Sequence, residues 1–237
     1  MIYIYRIYQI LIALPLCLVL TIVTSIITIV GCILTKGSWW GYYPPKIWAK
    51  LFCWLNLVRV SVKGRENIDK KTSYVFVSNH QGAFDIFTIY GFLGHNFKWM
   101  MKASLRKIPF VGYACYQAGH IFVDRGNSAS IKRSMDKAEK QLSGGMSLVV
   151  FPEGSRSKTG KLGNFKRGAY FLATEFNLPV VPLTIDGAYD VMPPHAKLPK
   201  PGHIKLTIHK PIEAPAEGHE IDKLMNETRE TIASALT

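Results

Sequence analysis

His80 and Asp85 lie five residues apart in the stretch Asn79-His80-Gln81-Gly82-Ala83-Phe84-Asp85, a pair suited to general-base chemistry. In such a pair the carboxylate accepts from one ring nitrogen and fixes the tautomer, and the other nitrogen takes a proton. Gly82 and Ala83 let the chain between them turn tightly enough to bring the two groups together. The sequence holds no Gly-x-Ser-x-Gly elbow, so no enzyme nucleophile stands ready for activation. The proton must then come from a hydroxyl of the substrate itself.

A second polar cluster follows a continuous apolar run: Phe151-Pro152-Glu153-Gly154-Ser155-Arg156-Ser157. Arg156 can hold a phosphate as a fork donor, and Gly154 lets backbone come close to a ligand. Glu153 orients the arginine, meets a substrate hydroxyl or stabilises the turn; Ser155 is grouped with it as substrate-binding or structural. Arg125 ends the run Ile121-Phe122-Val123-Asp124-Arg125 as a second guanidinium, and Lys102 closes another run as a third cation. Lys158, Lys161, Lys166 and Arg167 add positive field nearby.

Short apolar runs alternate with helical stretches after Lys63-Gly64, which predicts an α/β fold with a largely parallel sheet flanked by helices. Strands are expected over 74–78, 97–101, 121–124, 147–151 and 180–185, with a more exposed one at Ile204, Leu206 and Ile208. Helices are expected over 84–93, from Asn127 or Ser128 through Leu142, over 167–177, and from Ile221 to Ile232. His80, Arg125, Glu153 and Asp186 each fall at or just after a strand end. That rim is where open α/β sheets bind ligands.

What precedes is different in kind. Ile7 to Thr35 carries no charged residue, and no acidic residue appears before Glu66. As one helix this segment measures about 43 Å against a hydrocarbon core of about 30 Å. It is too long for a signal-peptide core and lacks a small-x-small cleavage site, so it reads as a retained apolar membrane segment, with Pro15 marking a kink and Gly31 an end. Either one tilted span or two shorter helices dipping into one leaflet fit it. Trp39-Trp40-Gly41-Tyr42-Tyr43 suits headgroup level. From Ile47 to Val60 an amphipathic helix is expected, with Ile47, Leu51, Trp54, Leu55 and Val58 on one side and Lys46, Lys50 and Arg59 facing anionic lipid. Lys36, Lys46 and Lys50 outweigh Arg6, which puts the remainder on the cytoplasmic side of an inner membrane.

The formal charge of +13 suggests anionic partners. Aromatic residues do not interleave with Lys and Arg in an RNA-binding signature, so nucleic acid is excluded as a partner. Cys17, Cys32, Cys53 and Cys115 form no Cys-x-x-Cys pair and no zinc spacing. They read as small buried residues in a reducing compartment.

Taken together, the clusters resemble the 1-acylglycerol-3-phosphate acyltransferases of the glycerophosphate acyltransferase superfamily. Asn79, His80 and Asp85 meet the pattern Asn-His-x4-Asp, and Gly119, Phe122, Asp124 and Arg125 meet Gly-x-x-Phe-x-Asp-Arg. Phe151 to Ser157 meets Phe-Pro-Glu-Gly-x-Arg-Ser, with Phe165, Lys166 and Gly168 downstream, and Val181-Pro182 meets an apolar Val-Pro segment. The resemblance covers roughly residues 62–187. It implies His80 as base on a glycerol hydroxyl, Asp85 as its partner, and Arg125, Arg156 and Lys102 on the acceptor phosphate. It also implies a thioester donor, acyl-CoA or acyl-carrier protein, lysophosphatidic acid as acceptor, membrane phospholipid as surroundings, and no metal or bound cofactor. The division expected is 1–61 for N-terminal membrane-associated helices and 62–237 for an acyltransferase domain. The alternatives are a relative acting on lyso-ornithine lipid or lysophosphatidylglycerol, and a non-catalytic module binding anionic lipid.

Overall fold

The computed structural model describes residues 2–35, 39–124, 146–214 and 220–237. The apolar leader is a continuous helix in three sections: α1 (Ile2–Tyr8), a π turn over Gln9–Ala13, and α2 (Leu14–Thr35). Pro15 accounts for the π turn. It has no N–H for the carbonyl of Leu11 and its ring crowds that carbonyl, so the helix widens just upstream instead of breaking. Gly31 does not end the helix, contrary to the sequence expectation. It lies against Trp40, where a Cβ would come within 2.3 Å of the indole ring.

After the aromatic cluster, α3 (Tyr43–Leu55) folds back on the leader. Trp48 Nε1 donates to Thr21 Oγ1 at 2.9 Å, and the hydroxyls of Tyr5 and Tyr8 each donate at 3.0 Å to the carbonyls of Asn56 and Leu55. The start of the leader is pinned to the globular part, because Arg6 and Gln9 both donate to the carbonyl of Pro199. Leu18, Val19 and Leu34 of α2 and Ile47 and Trp54 of α3 stay exposed, an apolar surface suited to lipid. The leader is also long and apolar enough to cross a membrane.

The expected helix through Val60 is corrected: α3 stops at Leu55, and Leu57 with φ 54° turns the chain into β1 (Val58–Lys63). Val58, Val60 and Val62 alternate with Arg59, Ser61 and Lys63, which is strand periodicity. The sheet thus starts before residue 62.

Six further strands follow: β2 (Val75–Ser78), β3 (Phe97–Lys102), β4 (Ile121–Val123), β5 (Ser147–Val150), β6 (Val180–Asp186) and β7 (Gly202–Ile208). Their order in the sheet is β1-β7-β6-β2-β5-β3-β4. The pairs among β6, β2, β5, β3 and β4 are parallel; β7 runs antiparallel to β6, and β1 pairs parallel to β7. The largely parallel α/β sheet expected from the sequence is present.

The helices are α4 (Phe84–Phe92), α5 (Val111–Gln117), α6 (Gly168–Glu175), α7 (Ala188–Val191) and α8 (Ile221–Ala233). One core joins Phe76, Leu183 and Ile185 to Phe84 and Ile89 of α4 and Ala49 of α3. The other joins Val75, Val77 and Leu148 to Tyr170 of α6 and Leu224 of α8. β2 and β5 are buried on both faces, which is why they read as unbroken apolar runs. Arg125 and the helix expected from Asn127 or Ser128 to Leu142 lie outside the described residues.

Candidate active site

Because β2, β5, β3 and β4 are parallel, the loops that leave their C-terminal ends share one rim. His80 follows β2, and Asp85 stands in the first turn of α4. Nδ1 of His80 lies 2.7 Å from Oδ2 of Asp85. That same oxygen accepts from the backbone N–H of Gln81 at 2.6 Å and of Gly82 at 2.8 Å. Three groups converge on one acceptor, so Nδ1 carries the imidazole proton and the Nε2 lone pair is the basic position. Asp85 is fully buried, and its Oδ1 has no hydrogen-bond partner among the described residues. Gly82 is required here, since a Cβ would meet the carbonyls of Met192 and Ala188 at 2.7 and 2.8 Å.

The imidazole is held from two other directions. Its ring stacks on Phe151 with centroids 3.9 Å apart and planes 11° from parallel, and Phe151 stacks in turn on Trp99. Its backbone N–H donates to Glu153 Oε1 at 2.8 Å, and its carbonyl accepts from Ser157 N–H at 2.7 Å. Beside it, the Asn79 amide makes two 2.8 Å bonds to the backbone of Ile185, tying β2 to β6.

Glu153 has a different task from either ligand role read from the sequence. Its second oxygen accepts from Gly163 N–H at 2.9 Å, so both oxygens serve backbone donors, and neither pairs with a guanidinium among the described residues. It is a strut between the His80 loop and the loop after β5. Burial pushes its carboxyl above the ordinary value, against the lowering effect of its two donors. Glu153→Gln must point an NH2 at one of these N–H groups. We expect thermal denaturation to show a loss of about 1–3 kcal/mol, with activity falling in step with the folded fraction.

Gly154 adopts φ 77°, which favours glycine, and it borders the cavity described next. Ser155 and Arg156 are exposed in the same loop. Lys102 is exposed at the end of β3 and also borders the cavity. Neither Lys102 nor Arg156 pairs with a carboxylate among the described residues. Asp186, at the end of β6, does not join them. It accepts from the Thr237 hydroxyl at 2.7 Å.

The cavity holds about 400 Å³ and runs from His80, Phe151 and Lys102 to Thr21 and Thr28 of α2. Its wall is mainly apolar, with Trp48, Ile86, Trp99, Met100 and Ile108 among the lining side chains. Some polar wall groups bond to one another: the Trp99 backbone N–H donates to His120 Nδ1 at 3.2 Å, His120 Nε2 lies 3.0 Å from the Tyr90 hydroxyl, and that hydroxyl donates to the Gly41 carbonyl. Trp99 Nε1 and Thr28 Oγ1 are buried without a partner among the described residues. Sequence reasoning missed the contribution of α2, α5 and Phe151. The strand-end rule locates a rim and gives no account of what covers it.

Residues 59–186 match the Acyltransferase family. The chain is 34% identical over 197 residues to a chloroplast 1-acyl-sn-glycerol-3-phosphate acyltransferase of Arabidopsis thaliana, covering 82% of this chain and 54% of that one. It is 30% identical to the 1-acyl-sn-glycerol-3-phosphate acyltransferase of Pseudomonas aeruginosa, covering 79% and 74%. The chain thus spans about half the length of the plant relative and three quarters of the bacterial one. The crystal structure of the 1-acyl-sn-glycerophosphate acyltransferase of Thermotoga maritima superposes with a TM-score of 0.72 at 24% identity, covering 95% of this chain and all of that one, so the two share a fold. The matched stretch takes in His80, Asp85 and the loop after β5, and the chain belongs to the acyltransferase family.

Proposed function

We propose that this protein transfers an acyl group from acyl-CoA or acyl-carrier protein to the sn-2 hydroxyl of 1-acylglycerol-3-phosphate, giving phosphatidic acid. The observation that carries this reading is an apolar cavity with a His–Asp base at one end and helices of the apolar leader at the other. The names of the relatives agree with it.

In this mechanism His80 Nε2 removes the proton of the acceptor hydroxyl as its oxygen attacks the thioester carbonyl carbon. The tetrahedral intermediate collapses by breaking the C–S bond, and the leaving thiolate takes the proton back from His80. Asp85 stabilises the imidazolium that forms between the two steps. N–H groups of Gly154 and Ser157 already bond to the carbonyls of Phe151 and His80, which leaves those of Ser155 and Arg156 for the oxyanion. Arg125, Arg156 and Lys102 hold the acceptor phosphate. Positioning two large amphiphiles in one cavity supplies much of the acceleration.

The acyl chain lies in the apolar cavity, against Thr21 and Thr28. Thr28 is buried in the wall, so Thr28→Phe removes volume where the chain tail must lie. We expect long donors to lose at least about tenfold in kcat/KM relative to short ones, read from a series of acyl-CoA lengths. The leader touches the globular part in two places, Arg6 against Pro199 and α2 against α5 where both line the cavity. This supports a helical hairpin dipping into one leaflet, on the cytoplasmic face, over a single span that leaves the domain behind.

The test is acyl transfer by purified protein across a panel of lyso-lipids with both thioester donors. Phosphatidic acid from 1-acylglycerol-3-phosphate is expected as the best product. No transfer to any phosphate-bearing acceptor would sink the reading.

A further inference from the structure

A second cavity, of about 260 Å³, shares no lining residue with the first. Four cations border it: Lys46 and Lys50 of α3, and Arg65 and Lys70 of the segment between β1 and β2. No Asp or Glu lines it, and none of the four makes an ion pair among the described residues. Bringing four like charges to one cleft is unfavourable unless an anion completes it.

Three of the four cations are held in place. Arg65 Nη2 donates to the Phe92 carbonyl at 3.0 Å. The Lys50 ammonium stands 5.7 Å from the Phe92 ring centroid, and that of Lys46 stands 5.3 Å from the Tyr42 ring. Gly91 lets Lys50 lie close, since a Cβ there would press on its Cγ at 3.2 Å. Burial lowers the Lys46 ammonium below its ordinary value, and the fields of Lys50, Arg65 and Lys70 lower it further.

Position selects the anion. Ile47, Leu51 and Trp54 are exposed at helical spacing on α3, and Lys50 is exposed on the same stripe. The cleft therefore opens beside apolar surface. We propose that it binds the phosphate of an anionic phospholipid headgroup, at a site separate from the catalytic cavity, with the lipid tails along the exposed face of α3. Such a site would seat α3 at a set depth and draw the enzyme to anionic regions of the bilayer.

The test uses the full chain in an uncharged detergent. Thermal unfolding is followed while short-chain phosphatidylglycerol, short-chain phosphatidylcholine, inorganic phosphate or coenzyme A is titrated in. The wild type and a Lys102→Gln/Arg156→Gln variant should both be stabilised by phosphatidylglycerol and not by phosphatidylcholine, which separates this site from the acceptor site. Arg65→Gln/Lys70→Gln should weaken the apparent affinity at least about tenfold and leave acyl transfer to detergent-dispersed acceptor unchanged. An equal response to phosphatidylglycerol in Arg65→Gln/Lys70→Gln overturns the site. Stabilisation by phosphate or coenzyme A as strong as by phosphatidylglycerol, lost in the same variant, overturns its assignment to lipid.

Discussion

His80→Ala lowers kcat for acyl transfer by about 10²–10⁴-fold, with the protein still folded. The imidazole is the base in the proposed reaction, and among the described residues no side chain on the rim can take its place. Lys102 and Arg156 are cations, and Glu153 is occupied by two backbone donors. The fold should survive because the ring is partly open to the cavity and its loop is secured through backbone, by Glu153 and by Ser157. Asp85 keeps its two N–H donors after the truncation. The measurement is steady-state transfer with 1-acylglycerol-3-phosphate alongside thermal denaturation. A rate near wild type would remove His80 as the base and with it the mechanism.

Asp85→Asn gives the second large loss, also about 10²–10⁴-fold in kcat, for a distinct reason. All three donors around Asp85 meet one oxygen, and the other oxygen is buried without a partner among the described residues. An Asn carbonyl placed where Oδ2 stands keeps all three bonds and the imidazole tautomer. Its NH2 then occupies the unpartnered position, and the negative charge opposite the forming imidazolium is gone. The substitution should therefore depress kcat with little change in KM for either substrate. Asp85→Ala should add a loss of stability, because the N–H groups of Gln81 and Gly82 are then buried without an acceptor. If Asp85→Asn kept kcat within about threefold of wild type, the proposed role of charge would be wrong.

Much of this site can be read from residue order because the chemistry sits at strand ends. Val75–Ser78 and Ser147–Val150 are unbroken apolar runs in the sequence because both faces of those strands are buried. His80 and Glu153 stand at the abrupt polar switches that follow. What sequence order hides is direction and covering. Val58 fits both the helical stripe of α3 and the alternation of β1, and only the turn at Leu57 decides between them. The antiparallel course of β7 is invisible because alternation is the same in either direction. Gly31 reads as a helix end by its type, yet its reason for being there is Trp40, nine positions later. Glu153 reads equally as a ligand or as a turn-stabilising carboxylate because it stands among ligand-like residues, and only its partners, backbone groups 73 and 10 residues away, decide for the second.

The contact of Arg6 with Pro199 has a consequence for how the protein is made. The two residues are 193 positions apart, so at ~5–20 residues per second the ribosome delivers the second roughly 10–40 s after the first. During that interval the greasy leader lacks Pro199, and for the first half of it α5 as well, which leaves α3 and any nearby lipid surface as its apolar partners. Its final pose is therefore settled last, when the globular part closes onto it. Changes at Pro199 or Gln9 should appear as failures of biogenesis, seen as chains that are inserted yet protease-sensitive, before they register in any assay of the finished enzyme.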